Sequence, residues 1–434
     1  MTHASASPME SKFRLRQFIL PGLLLAHVIA CCASLVFVMK IYYFPVLYAF
    51  DVAKLPSAML TTAPALLLLP LFVFSRFSFG YFIGFGLYTI VVGYVWLAGF
   101  SALDYDHSLG VVSALLSALV FLVPALLVTS PIRQRIVLSQ AALDRVLTAI
   151  LALSTLVIAA GAFYNFHPVG LDRMYEVRAT LDLPKPLAYG IGICSNALLP
   201  FAFACYFMRG DIWRASATLL LMLLFYPITL TKLALFAPAW LVFLALLAGY
   251  FEARIAVVLS LLLIVSIGLA VAGAIPYSQA IQYFGPVNFR MIGVPSIVLD
   301  MYGDFFAKHS PTYFCQVTFL KPFVSCPYSE PLQSIMAKNY PLGSANASLL
   351  ASEGFASLGL KWAPLSALAC GLAVAVVNRL SAALPPKFIF VSAGLLLQVL
   401  MNVPLTTSLL THGAAFLFAL WYVTPCGAIE PRGQ

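Results

Sequence analysis

Along almost the whole chain, apolar runs alternate with short polar or charged breaks. A helix crosses the hydrocarbon core of a bilayer with about 17 to 25 apolar residues. Runs that reach or approach this length recur at 18–39, 56–74, 79–100, 110–128, 145–163, 187–208, 213–230, 234–251, 255–274, 358–377, 388–401 and 405–423. The runs lack the period-two alternation of barrel strands, so helices are the remaining way to satisfy the backbone within lipid. The expected fold is all-α: a polytopic integral membrane protein of about twelve transmembrane helices in a single membrane domain over residues 1–434.

Two interruptions break the rhythm, a charged loop at 164–186 and a long aromatic, charged and proline-rich stretch at 276–355, between the ninth and tenth runs. A protein that only holds a bilayer or passes a solute has little use for the second. The pattern therefore points to an enzyme working at the outer membrane surface. Composition agrees on the class, because 62% hydrophobic and 9% charged residues cannot make a soluble globule, whose charged share is about a quarter. The basic N-terminus and the 18–39 run resemble a signal peptide, yet the run is too long and no small-residue cleavage site follows it. It reads as a first helix that stays.

Orientation follows from Lys and Arg in the short loops, which are retained in the cytoplasm. An N-inside arrangement puts Arg76, Arg133, Arg209, Arg254, Arg379 and Lys387 inside, and leaves only Lys40, Lys54 and Lys232 in the short outer loops. Both termini are then cytoplasmic, and residues 276–355 are periplasmic. The net charge of +9 partly records this topology and partly a basic outer surface suited to an anionic substrate or headgroup. Nothing in it suggests nucleic acid.

Of eight cysteines, only Cys315 and Cys326 share the large outer loop. In an oxidising compartment they form a disulfide or remain two free thiols. No Cys/His spacing suggests a metal site. The halves differ in loop length, and the runs are poor in ionisable groups at mid-depth, both of which weigh against a secondary transporter.

Candidate chemistry lies in four outer segments. Arg173, Glu176 and Arg178 cluster in one short stretch, either as a solvated interfacial helix or as part of a site. Lys232 stands alone at the outer end of a run, where a snorkelling anchor is the ordinary reading. The stretch 288–314 gathers Arg290, Asp300, Asp304, Lys308 and His309 among aromatics, with the two acids on one face of any helix. The fourth segment brings Asn346, Ser348 and Glu353 just before the tenth run. Each acid alone is more often a satisfied carboxylate than a catalyst; together they offer a base and a phosphate clamp.

These segments resemble the bacterial O-antigen polymerases, the Wzy-like oligosaccharide repeat unit polymerases. The resemblance is spread from about Tyr175 to Trp421. It rests on Tyr175 with Arg178, on Lys232, on Arg290 with Pro295, Tyr302, Asp304, Phe305 and Phe306, and on the stretch from Asn346 to Gly359. The chain departs from an Arg-x10-Gly pattern of some members, with Met301 and Tyr189 where glycine would follow Arg290 and Arg178. The resemblance implies an inner-membrane enzyme that joins glycan repeat units carried on undecaprenyl pyrophosphate by inverting-type transfer, without a cofactor or metal. Its product is a surface polysaccharide: O-antigen, capsule or exopolysaccharide. Its partners would be the lipid-linked glycans, the bilayer, and chain-length regulator and flippase proteins. On that reading Arg178, Lys232 and Arg290, with Arg173 and Asn346, hold the substrate. Asp304 or Glu353 is the base, with His309 the next choice. Two rivals share the plan: an O-antigen ligase, and a lipid-linked oligosaccharide flippase, which would need cations lining a cavity inside its spans.

Overall fold

Ten helices have the length and apolar composition to cross a membrane in the computed structural model. It describes residues 8–41, 47–171, 173–178, 181, 183–317, 320, 322–343, 345, 347–425, 427 and 429, with side chains for all of these except 8–17, Tyr175 and Tyr277. The ten are α1 (Phe18–Ile41), α2 (Val52–Phe74), α3 (Phe79–Ala98), α4 (His107–Leu127), α5 (Gln140–Tyr164), α6 (Lys185–Met208), α7 (Ile212–Thr229), α8 (Lys232–Tyr250), α9 (Ala253–Ala274) and, after the long interruption and a further helix α10 (Val294–Lys308), α11 (Leu350–Ser381). Among the described residues there is no strand, only an isolated bridge between Tyr48 and Ser101.

Length alone does not carry the count to twelve. The 388–401 run is two seven-residue helices, Pro386–Ser392 and Gly394–Leu400. The last run is α12 (Leu405–Thr411) and α13 (Ala414–Val423), bent by 73° at a break where Gly413 takes a positive φ, and it makes an eleventh span if taken as one. Pro385 and Pro404 stand immediately before the first helix of each run, and Gly413 lies at the break between α12 and α13.

Helix starts follow capping chemistry. Ser78, Asp106, Ser139, Asp211 and Thr231 each precede a helix and accept from a backbone N–H in its first turn. α3 is buried almost all round and forms the hub.

The connections sort onto two faces. On one, Arg254 donates to the carbonyls of Val73 and Ser75, Arg379 to that of Ser130, and Arg209 to the carboxylate of Asp144. Gln134 reaches the carbonyl of Tyr422 at the same face, so α13 ends there. On the other face the Tyr48–Ser101 bridge joins two connections, and Asn165 donates to Ile228. Helix after helix therefore alternates direction, and one face collects most of the arginines of the short loops.

The interruption after α9 is not a simple surface loop. Residues 277–308 are helical throughout, passing from Tyr277–Phe284 through a π-helical stretch, Gly285–Gly293, into α10. Tyr283 donates to the carbonyl of Ile264 and Asn288 to that of Val265, both in mid-α9. Ser296 donates to Ile90 in α3, seated where a Cβ at Gly93 would collide with its hydroxyl. The segment thus dips among the spans and climbs back to the face of the 99–106 connection, where α10 ends.

Candidate functional site

α10 carries Asp300 and Asp304 one turn apart, on one helix face. Asp300 is fully buried and accepts three hydroxyls: Tyr48 at 2.7 Å, Ser101 at 2.8 Å and Tyr105 at 2.5 Å. His107 Nδ1 lies 4.0 Å away, and Tyr105 also pairs with Tyr94 at 2.9 Å. Burial pushes the Asp300 carboxyl up, and the hydrogen bonds from Tyr105, Tyr48 and Ser101 pull it back. Burial first, and then the Asp300 charge, push the Tyr105 phenol well up. A carboxylate satisfied by three donors from two other connections works as a clasp between α10 and the start of α4.

Asp304 is 7% exposed and also has both oxygens occupied. Oδ1 takes Lys308 Nζ at 2.7 Å, an i,i+4 pair on the helix, and Oδ2 takes the Tyr340 hydroxyl at 2.6 Å. Burial, and then the hydrogen bond to Asp304, push the Tyr340 phenol up. His309 closes the helix, exposed, with Nδ1 2.9 Å from the Phe305 carbonyl and its ring stacked on Phe305 at 4.0 Å. Beyond it, Cys315 and Cys326 are joined in a disulfide, and Tyr328 donates to the Ser310 carbonyl. These contacts tie the coil after α10 to its end.

Glu353 faces elsewhere. It is 3% exposed, and its two oxygens accept the backbone N–H groups of Leu405 at 3.0 Å and Thr406 at 2.8 Å. Pro404 precedes that helix and no side-chain cap of its own serves it. The carboxylate therefore satisfies donors at the start of α12 and sits at the favourable end of its dipole. The π-helical turn Leu350–Phe355 offers it at that position.

The cations are spread out. Arg173 and Arg178 are exposed around the short helix Met174–Arg178, Lys232 is half-buried at the first residue of α8, and Arg290 is exposed in the π-helical stretch. None of the four lines the cavity described next. Asn346 lies outside the described residues.

A cavity of about 440 Å³ opens at the end of α10. Asp104, Tyr105 and Asp106 form one wall, Phe306 and Lys308 a second, and Gly359 with Lys361 a third. Gly359 interrupts α11 with φ 72° and ψ 170°, a conformation that favours glycine. The break leaves carbonyls without helical partners, and Thr312 and Tyr313 donate to those of Ala356 and Ser357. Asp304 touches this cavity through Lys308. Tyr105, Tyr340 and Lys361 lie far from α10 along the chain, and the phenols that donate to its two acids carry no spacing signal in the sequence. Among the described residues no group of three or more His, Cys, Asp or Glu side chains is placed to hold a metal ion.

No family model, no curated protein and no solved structure matches the chain.

Proposed function

We propose that the chain is a membrane glycosyltransferase that polymerises undecaprenyl-pyrophosphate-linked repeat units into a surface polysaccharide. One observation carries the reading: α10, dipping among the spans and returning, ends with a buried carboxylate, Asp304, held by Lys308 and Tyr340 beside an open cavity that Lys308 lines. In the reaction an acceptor sugar hydroxyl attacks the anomeric carbon of the growing chain. The bond from that carbon to the pyrophosphate oxygen breaks, the carrier leaves as undecaprenyl pyrophosphate, and the hydroxyl proton passes to Asp304.

The leaving group asks for fixed positive charge, and Arg178, Lys232 and Arg290, with Arg173, are its proposed source although none of them lines the cavity at the end of α10. His309 is the alternative proton acceptor, being exposed at the same helix end. Glu353, occupied by two backbone donors, holds α12 to α11 in place of acting as the base. The polyprenyl tail needs an apolar groove between helices, and the lipid-facing surfaces of α2, α5 and α7 are mostly unburied.

The test is reconstitution. Purified protein in liposomes with undecaprenyl-pyrophosphate oligosaccharide should yield longer lipid-linked glycan and free undecaprenyl pyrophosphate. Asp304→Asn should slow this by about 100- to 10,000-fold, as loss of a general base does. Wild-type turnover by that variant, with Tyr340→Phe equally active, removes Asp304 from the chemistry.

A further inference from the structure

We propose that the cavity between the 104–109 connection, the end of α10 and the break in α11 binds a sugar bearing a carboxylate, a hexuronic acid unit of the acceptor glycan. The inference rests on the polymerase reading for the word acceptor and for Asp304 as the base; the binding site itself stands on the following geometry.

The volume of about 440 Å³ falls within the range of small-molecule sites, about 300 to 1,000 Å³. Its polar groups come in both signs. Lys308 and Lys361 reach it from two separate elements, and Asp104 and Asp106 face them across it. Asp106 already accepts the Leu109 N–H at the start of α4 through Oδ1, so Asp104 is the carboxylate with more acceptor capacity for ligand hydroxyls. Two acids, two ammonium groups and the Phe306 ring, among the apolar neighbours Leu109, Leu358 and Leu360, offer a hydroxyl-bearing ligand both acceptors and cationic partners.

Lys361 supplies the sign of that charge. It stands in the first turn after the break at Gly359, at the positive end of the helix that runs on to Ser381. A cation there is disfavoured by the helix dipole, whereas an anion beside it gains from both. Its ammonium rests over the Trp362 ring at 5.6 Å, a contact that leaves it free to turn into the cavity. Lys308 is the second donor and is shared: its Nζ is 2.7 Å from Asp304 Oδ1. A ligand carboxylate that draws Lys308 into the cavity takes the counter-ion from Asp304, leaving that oxygen open to a hydroxyl proton. Binding of an acidic sugar and release of the base are then one event.

Calorimetric titration of the purified protein in nanodiscs tests this without any polymer assay, so a failure here is distinct from a failure of the polymerase reading. The probes are digalacturonic acid, the neutral disaccharide cellobiose, and inorganic pyrophosphate. The expected result is binding of digalacturonic acid at least tenfold tighter than cellobiose or pyrophosphate, reduced tenfold or more by Lys361→Gln and by Asp104→Asn, and unchanged by Arg135→Gln on the opposite face. Equal binding of the charged and neutral disaccharides overturns the proposal, as does no binding of digalacturonic acid or wild-type affinity in Lys361→Gln. Tighter binding of pyrophosphate overturns it too, by assigning the lysines to the phosphates of the lipid carrier.

Discussion

Asp304 and Glu353 are two buried carboxylates that look alike in the sequence and differ in what holds them. Asp304 is met by side chains, an ammonium and a phenol, both of which can move. Glu353 is met by two backbone N–H groups, which cannot. Glu353→Ala should therefore lower stability, because two buried donors lose their acceptor at about 1–3 kcal/mol each. The readout is the temperature at which the detergent-solubilised protein loses its size-exclusion peak; an unchanged temperature would mean that α12 does not depend on this cap. Tyr340→Phe should leave Asp304 in place with one donor fewer, and it keeps the ring packed. Its expected effect is a change in polymerising rate with little change in that temperature, since one hydrogen bond is worth about 1 kcal/mol. Both acids were legible as members of polar segments. Their partners were not, because a phenol from 36 residues downstream and a helix start from 52 residues downstream leave no local spacing to read.

At the scale of elements, the apolar runs located the long helices well, since lipid forces the backbone to bond within each segment. The interruption at 276–355 was a different case. Its aromatic and charged residues read as exposed loop, yet α10 is buried along nearly its full length. Asn288, Ser296 and Asp300 find partners on α1, α9, α3 and the 42–51 and 99–106 connections, and Asp304 finds Lys308 on its own helix and Tyr340 beyond it. A composition-based reading has no means to see such pairing. The break at Gly359 is the second element-scale feature, shaping one wall of the cavity while its freed carbonyls hold residues 312 and 313. Gly359→Ala places a side chain at φ 72° and should cost about 1–3 kcal/mol. Limited proteolysis should then cut between Thr312 and Tyr328 faster than in the wild type. Equal cutting would mean that the break does not secure this coil.

For the molecule as a whole, the alternation of connections between two faces follows from hydrogen bonds, and the sign of the membrane follows from charge. Arg76, Arg133, Arg135, Arg209, Arg214, Arg254 and Arg379 belong to the connections of one face, which the positive-inside rule assigns to the cytoplasm. We propose that the face with the cavity, the disulfide and Asp304 is the periplasmic one. An alkaline phosphatase fusion after Lys338 should be active and one after Lys387 inactive; the reverse pattern would turn the site toward the cytoplasm, where lipid-linked glycans are not polymerised on this account. The proposed orientation rests on the order of Lys and Arg alone, whereas the convergence of the 104–106 connection, α4, α10 and α11 around one cavity required the packed chain.

The central claim is that the chain extends lipid-linked glycan, and the surface polysaccharide of a deletion strain tests it most directly. Electrophoretic length analysis should reveal surface acceptors capped with a single repeat unit and no ladder above it. The ladder should return on expression of the wild-type chain and stay absent with Asp304→Asn at matched protein level. Long polymer accumulating on undecaprenyl pyrophosphate in the deletion strain would contradict the claim in favour of a ligase, and repeat units held on the cytoplasmic side would contradict it in favour of a flippase.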